Sequence, residues 1–144
     1  SKEELLLEVV VRATLRLGRD VVADLGTDAS PERLLVDGLV MALTRIANDP
    51  LHQSLHSPSA SEAVARVGGR VLNEGVRPLV EPMFVLAAQQ NVLRAGVTLD
   101  DAVRWLQIVA TGLLRATPEL REPDALVRLL EQMLVPVLLD VPSP

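Results

Sequence analysis

Residues 99–117 read LDDAVRWLQIVATGLLRAT, and the architecture of the chain turns on how this stretch is covered. Thr98 places a side-chain oxygen in front of it, and Asp100 and Asp101 fall in the first turn, where the helix dipole favours negative charge. Pro118 is the expected stop. Val103, Leu106, Ala110, Leu113 and Leu114 follow one helical face, while Ala102, Trp105, Val109 and Gly112 follow another and Ile108 fills in between. Only Arg104, Gln107, Thr111 and Arg115 interrupt. A helix that is apolar nearly all round must be covered on more than one side. Its own subunit covers one side, and a second copy of the chain is the expected cover for the other.

Composition narrows the choices. A length of 144 residues suits one domain, residues 1–144, able to bury roughly two-thirds of its unfolded surface. Apolar residues make up 49% of the chain but aromatics only 1%, namely Phe84 and Trp105, so Leu, Val and Ala must fill the core. The net charge of −5 argues against nucleic acid being held by this chain alone, since phosphate binding needs a basic face. The absence of cysteine excludes disulfides and thiol chemistry and fits a reducing compartment. No stretch is long and apolar enough to span a membrane, and residues 1–25 are too charged for a secretory signal. A cytoplasmic location without membrane contact is the expectation.

Outward from the opening stretch, the chain reads as helix after helix. Ser1 and Glu4 have capping-box spacing and start a helix about 37 Å long, at about 1.5 Å per residue, with Leu6, Val10, Ala13, Leu17 and Val21 along one side and Gly26 as its stop. Ser30-Pro31 opens a second helix that ends near Asn48. Asp49-Pro50 starts a short one that Pro58 closes. Ser59 and Glu62 open a weaker helix through Gly68-Gly69, where each glycine costs about 1 kcal/mol relative to alanine, tolerable if another backbone packs close. The following helix starts at Pro82, or starts at Pro78 and kinks, and runs through Arg94 to a turn at Ala95-Gly96. Asp124 to Asp140 forms the last helix, with a kink or loosened turn expected at Pro136. No alternating strand pattern bounded by hairpin turns occurs, so the fold class is all-α, with about six to seven helices.

Three stretches resemble one family. The opening Ser1-Lys2-Glu3-Glu4-Leu5-Leu6 is similar to the junction at which the DNA-binding domain of TetR-family transcriptional regulators passes into a long connecting helix. Residues 87–97, AAQQNVLRAGV, followed by the aspartates and the helix through Trp105, resemble the family's Ala-rich helix, turn and next helix, with Asn91 where the family often has Gly. The closing pair of apolar helices resembles the family's dimerisation bundle. The resemblance implies a TetR-like C-terminal regulatory domain whose last two helices pair with those of a second copy into a four-helix bundle. It further implies a bacterial regulator, commonly a repressor, in which a bound effector shifts the connecting helix and releases the operator. The helix-turn-helix that would touch operator DNA lies outside this chain.

The candidate residues follow from both arguments. Leu106, Leu113, Leu129, Leu130, Met133 and Val137 are the expected dimer interface. Met83, Phe84, Ala87, Asn91 and Trp105 are the expected lining of an effector pocket, with Gln90 and Thr111 as further polar groups. So few aromatics and charges imply a small apolar effector. His52 and His56 share a helical face, but only Glu62 lies near as a further ligand, so no metal site is expected. No cofactor is expected either. Catalysis finds no support: Asp100-Asp101 and Glu3-Glu4 read as helix-start chemistry, and Gly68-Gly69 is followed by no phosphate-binding Lys-Ser/Thr. The alternative is a helical homodimeric protein–protein interaction module whose interior is filled by its own side chains.

Overall fold

The computed structural model describes residues 1–55, 58–116 and 122–141, with the side chains of 52, 55, 58, 59 and 61 outside the described set. Helices account for nearly all of it. They are α1 (Lys2–Leu25), α2 (Pro31–Asn48), α3 (Pro50–Leu55), α4 (Pro58–Val71), α5 (Arg77–Gln89), α6 (Leu99–Leu114), α7 (Pro123–Met133) and α8 (Val135–Leu138), with a π-helical turn at Leu72–Val76 joining α4 to α5. Local chemistry sets most of the starts. The Ser1 hydroxyl accepts from the Glu4 N–H at 3.2 Å while the Glu4 carboxylate accepts from the Ser1 backbone nitrogen at 3.2 Å, so the capping box forms. Ser30 accepts from Arg33 N–H, and Thr98 from Asp101 N–H.

The core lies around α2, which touches α1, α3, α5, α6, α7 and α8. Leu35, Val36 and Leu43 of α2 join Val103, Leu106 and Leu113 of α6, Leu126 and Leu130 of α7, and Leu134, Val135 and Leu138 at the C-terminal end in one buried cluster. Val21, Leu25 and Ala29 form a smaller one between α1 and α2. The stretch at 99–117 is therefore one wall of the core, and α2 is its centre. Among the described residues no polar or charged side chain is buried.

Three features depart from the sequence expectation and a fourth meets it, each for a local reason. First, no break separates the helices around Pro78. Proline has no N–H to give the carbonyl four residues back, and its ring crowds that group, here Glu74. The ladder opens to accommodate it: Arg77 N–H bonds Leu72 C=O, five residues back, and the helix continues through the π turn with Pro82 inside α5. Second, Gly68 and Gly69 have nothing within 4 Å of where a side chain would begin, so no backbone packs there. The close approaches lie elsewhere. A Cβ on Gly18 would sit 2.1 Å from the Leu79 side chain, and one on Gly75 would sit 3.3 Å from Thr14. Both contacts advance in the same direction along the two rods, so α1 runs parallel to the π turn and α5 at this seam.

Third, α5 ends at Gln89 rather than Arg94, because Asn91 adopts a left-handed conformation at φ 57°. The chain then runs extended. Arg94 N–H donates to Leu138 C=O at 2.9 Å, and Asp140 N–H donates to Val92 C=O at 2.7 Å, so the C-terminal segment straps antiparallel beside Leu93. Fourth, the last helix splits at Leu134, where φ −111° and ψ −51° interrupt it two residues before Pro136. This is the expected loosening. The expected stops at Pro118 and the Ser59 cap fall outside the described residues or side chains, as do the side chains of His52 and His56.

Gly18→Ala should destabilise the domain by about 1–3 kcal/mol, since Leu79 must leave its place. Gly69→Ala should stabilise it by up to about 1 kcal/mol, since nothing crowds the new methyl group. Urea unfolding of the two variants checks both signs.

Candidate functional site

The five residues expected to line a pocket divide between the core and the surface. Met83 and Ala87 point into the core cluster from α5, and Phe84 packs against it half-buried. Asn91 holds the turn after α5 and is exposed. Trp105 lies on the outer side of α6, 39% exposed. Asn91 and Trp105 are thus surface residues, and none of the five lines either of the two clefts described next.

The expected dimer residues divide by helical phase. Leu106, Leu113 and Leu130 are buried in their own subunit's core, and Leu129 is half-buried against it. Met133 is 64% exposed and Val137 43%. On α6 the apolar residue turned furthest outward is Ile108, 60% exposed and one turn from Trp105. Trp105, Ile108 and Gly112 share one strip, while Ala102, Val103, Leu106 and Leu113 face inward. The sequence carried the signal for this second strip, but not its phase: two apolar faces on one helix do not say which is the inner.

The first cleft, about 280 Å³, opens where the C-terminal halves of α2 and α6 meet the start of α7. Leu43, Ala47, Leu113, Leu114 and Leu126 make its walls, and Thr44, Asn48 and Glu122 are its polar groups. The second, about 420 Å³, lies between the N-terminal half of α1 and the end of α4. Leu7 and Val11 form its floor, beneath a rim of Glu4, Glu8, Arg12, Arg70 and Glu74. Its charges are matched locally, Arg12 with Glu8 at 2.5 Å and Arg70 with Glu74 at 3.2 Å. Nearby, Arg66 joins Glu3 of α1 to Glu62 of α4. Such exposed pairs contribute about 0–1 kcal/mol each, so they orient α4 on α1 more than they hold it.

Among the described residues no group of three His, Asp or Glu side chains is placed to hold a metal, and no helix is long and apolar enough to cross a membrane. One carboxylate is perturbed. The Arg77 guanidinium hydrogen-bonds Asp100 at the start of α6, and this bond, then the Arg77 charge, holds the Asp100 carboxyl below the ordinary carboxylate range. The pair ties α5 to α6 at the protein surface. Comparison with family models, curated proteins and solved structures finds no match.

A lowered carboxyl pKa stabilises the fold above the unfolded value, and that contribution is lost as pH falls through the folded value. Arg77→Gln should therefore raise the pH at which Asp100 titrates toward that of a free aspartate, read from its side-chain carboxyl resonance by NMR. An unmoved titration would contradict the assigned cause.

Proposed function

We propose that this chain is the effector-sensing and dimerisation domain of a TetR-like transcriptional regulator. What carries the proposal is the outward-facing apolar groups of the last two long helices: Trp105 and Ile108 on α6, with Met133 at the end of α7 and Val137 on α8. Isolated exposed apolar residues are ordinary on a protein surface, but a Trp and an Ile on one strip and a Met and a Val on another mark faces that a partner covers. The element order adds support: a long capped first helix, a central α2, a long broken helix over it, and a closing pair. In this reading the pair meets its counterpart in a second copy and forms a four-helix bundle. The interface residues are Trp105, Ile108, Leu129, Met133 and Val137, while Leu106, Leu113 and Leu130 stay in the subunit core.

The mechanism is one of linkage. A DNA-reading head ahead of Ser1 would sit on the start of α1. An effector favours operator release only by binding the released arrangement more tightly than the bound one. Because two heads on one duplex read half-sites about 34–36 Å apart, a small tilt of α1 in each subunit is enough to spoil the match. The seam that transmits such a tilt is the Gly18–Leu79 and Gly75–Thr14 contact, where α1 is locked to the π turn and α5. The ligand-free interaction module shares the same dimer but needs no cavity.

Sedimentation equilibrium should give a dimer, with an interface burying more than roughly 2,000 Å² in total. Ile108→Asp should weaken association at least about 30-fold, as expected where an anchor residue costs about 2 kcal/mol or more. A wild-type monomer at micromolar concentration would rule the bundle out.

A further inference from the structure

We infer that the 280 Å³ cleft between α2, α6 and α7 is a binding site for a small amphiphile with a cationic, hydrogen-bond-donating head, its apolar tail held between Leu43, Leu113 and Leu126. The inference rests on the sensor reading and gives it a location and a ligand class. It places the site at the far end of α6 from Thr98, away from the α5 residues that the sequence pointed to.

The tail follows from the walls, whose described residues are Leu and Ala apart from Thr44, Asn48, Glu122 and the Pro123 ring. The head follows from an inventory of donors and acceptors. The Thr44 hydroxyl has one proton and donates it to Val40 C=O at 2.8 Å, so the oxygen facing a ligand accepts. Asn48 commits one of its two amide N–H groups to Thr44 C=O at 2.9 Å, keeping its carbonyl oxygen to accept and one N–H to donate. Glu122 supplies a carboxylate acceptor and makes no capping bond to the α7 backbone. Among the described residues that line the cleft it is the one with a charge. The positive end of the α7 dipole, which would otherwise draw an anion, is faced by Asp124 in the first turn and by Glu122 itself. A carboxylate-headed or phosphate-headed lipid would meet the Glu122 carboxylate, with the second Asn48 N–H as its one side-chain donor among the described lining residues. An ammonium head finds a charge-assisted partner. At the small end of ligand-site volumes, the cleft admits a short chain rather than a polycyclic body.

The test uses the whole chain and three probes of one chain length, n-octylamine as its ammonium ion, n-octanol and n-octanoate, titrated calorimetrically at neutral pH. Octylammonium should bind once per subunit, at least about tenfold tighter than octanoate, with octanol between them. Glu122→Gln should bring octylammonium down to the affinity of octanol. Ala47→Leu, which fills the cleft from a half-buried position, should abolish binding while leaving the unfolding transition in place. Equal or tighter binding of octanoate overturns the inference, as does octylammonium binding that Ala47→Leu leaves intact. No binding of any probe to a protein that is dimeric overturns the inference and leaves the sensor reading standing. A monomeric protein that binds octylammonium with the expected variant effects supports the site and removes the dimer reading.

Discussion

Everything in this fold depends on burying α2 with side chains that have little bulk. The chain holds one Phe, one Trp and no Tyr, and neither aromatic is fully buried, so Leu35, Val36 and Leu43 must be met by other Leu, Val and Ala residues. Small fillers mean short distances between helices. Several partners must then crowd around one axis, and α1, α5, α6, α7 and α8 do so. Ala87 on α5 and Ala102 on α6, both essentially without exposure, are such small fillers. Because no polar side chain among the described residues is buried, nothing in this core specifies geometry by hydrogen bonding. Shape alone does that, through positions such as Gly18, which has room for Leu79 and for nothing more.

Much of this was legible in the sequence. Helix starts came out where a side chain does the work: Ser1 with Glu4, Ser30 with Pro31, and Thr98 with the aspartates behind it all act as their residue types predict. The all-helical class followed from periodicity, and the break near Pro136 from the missing N–H. What sequence could not supply was the response of the backbone to Pro78. A proline in a helix implies a fault, but whether the chain breaks, kinks or opens a π turn depends on what lies beside it, here Thr14 against Gly75. The end of α5 was hidden for a similar reason. Residues 90–94 keep an apolar pattern compatible with helix, yet Asn91 turns left-handed and the next residues bond the C-terminal strap, a partner more than forty positions away.

The candidate site was less legible than the fold. An apolar residue on an amphipathic helix faces the core or a partner, and periodicity does not distinguish them. Leu106, Leu113 and Leu130 face inward; Ile108, Met133 and Val137, on the same helices or the one just after, face outward. Trp105 carries the sharpest reassignment. As the chain's single indole it resembled a pocket wall, and the structure sets it on the outer strip of α6 instead. The cleft between α2, α6 and α7 was invisible to sequence because its lining joins α2 to two helices much further down the chain, each contributing two to four ordinary residues.

Trp105 also gives the most direct test of the central claim, that the outer strip of α6 is covered by a second copy. With no other Trp and no Tyr, the chain's emission reports this one position. Iodide quenching of Trp105 fluorescence should be measured across a dilution series. The account predicts blue-shifted, poorly quenched emission in concentrated protein, moving to red-shifted and readily quenched emission on dilution, with a midpoint matching the sedimentation constant. Emission that is red-shifted and quenchable at every concentration would contradict it.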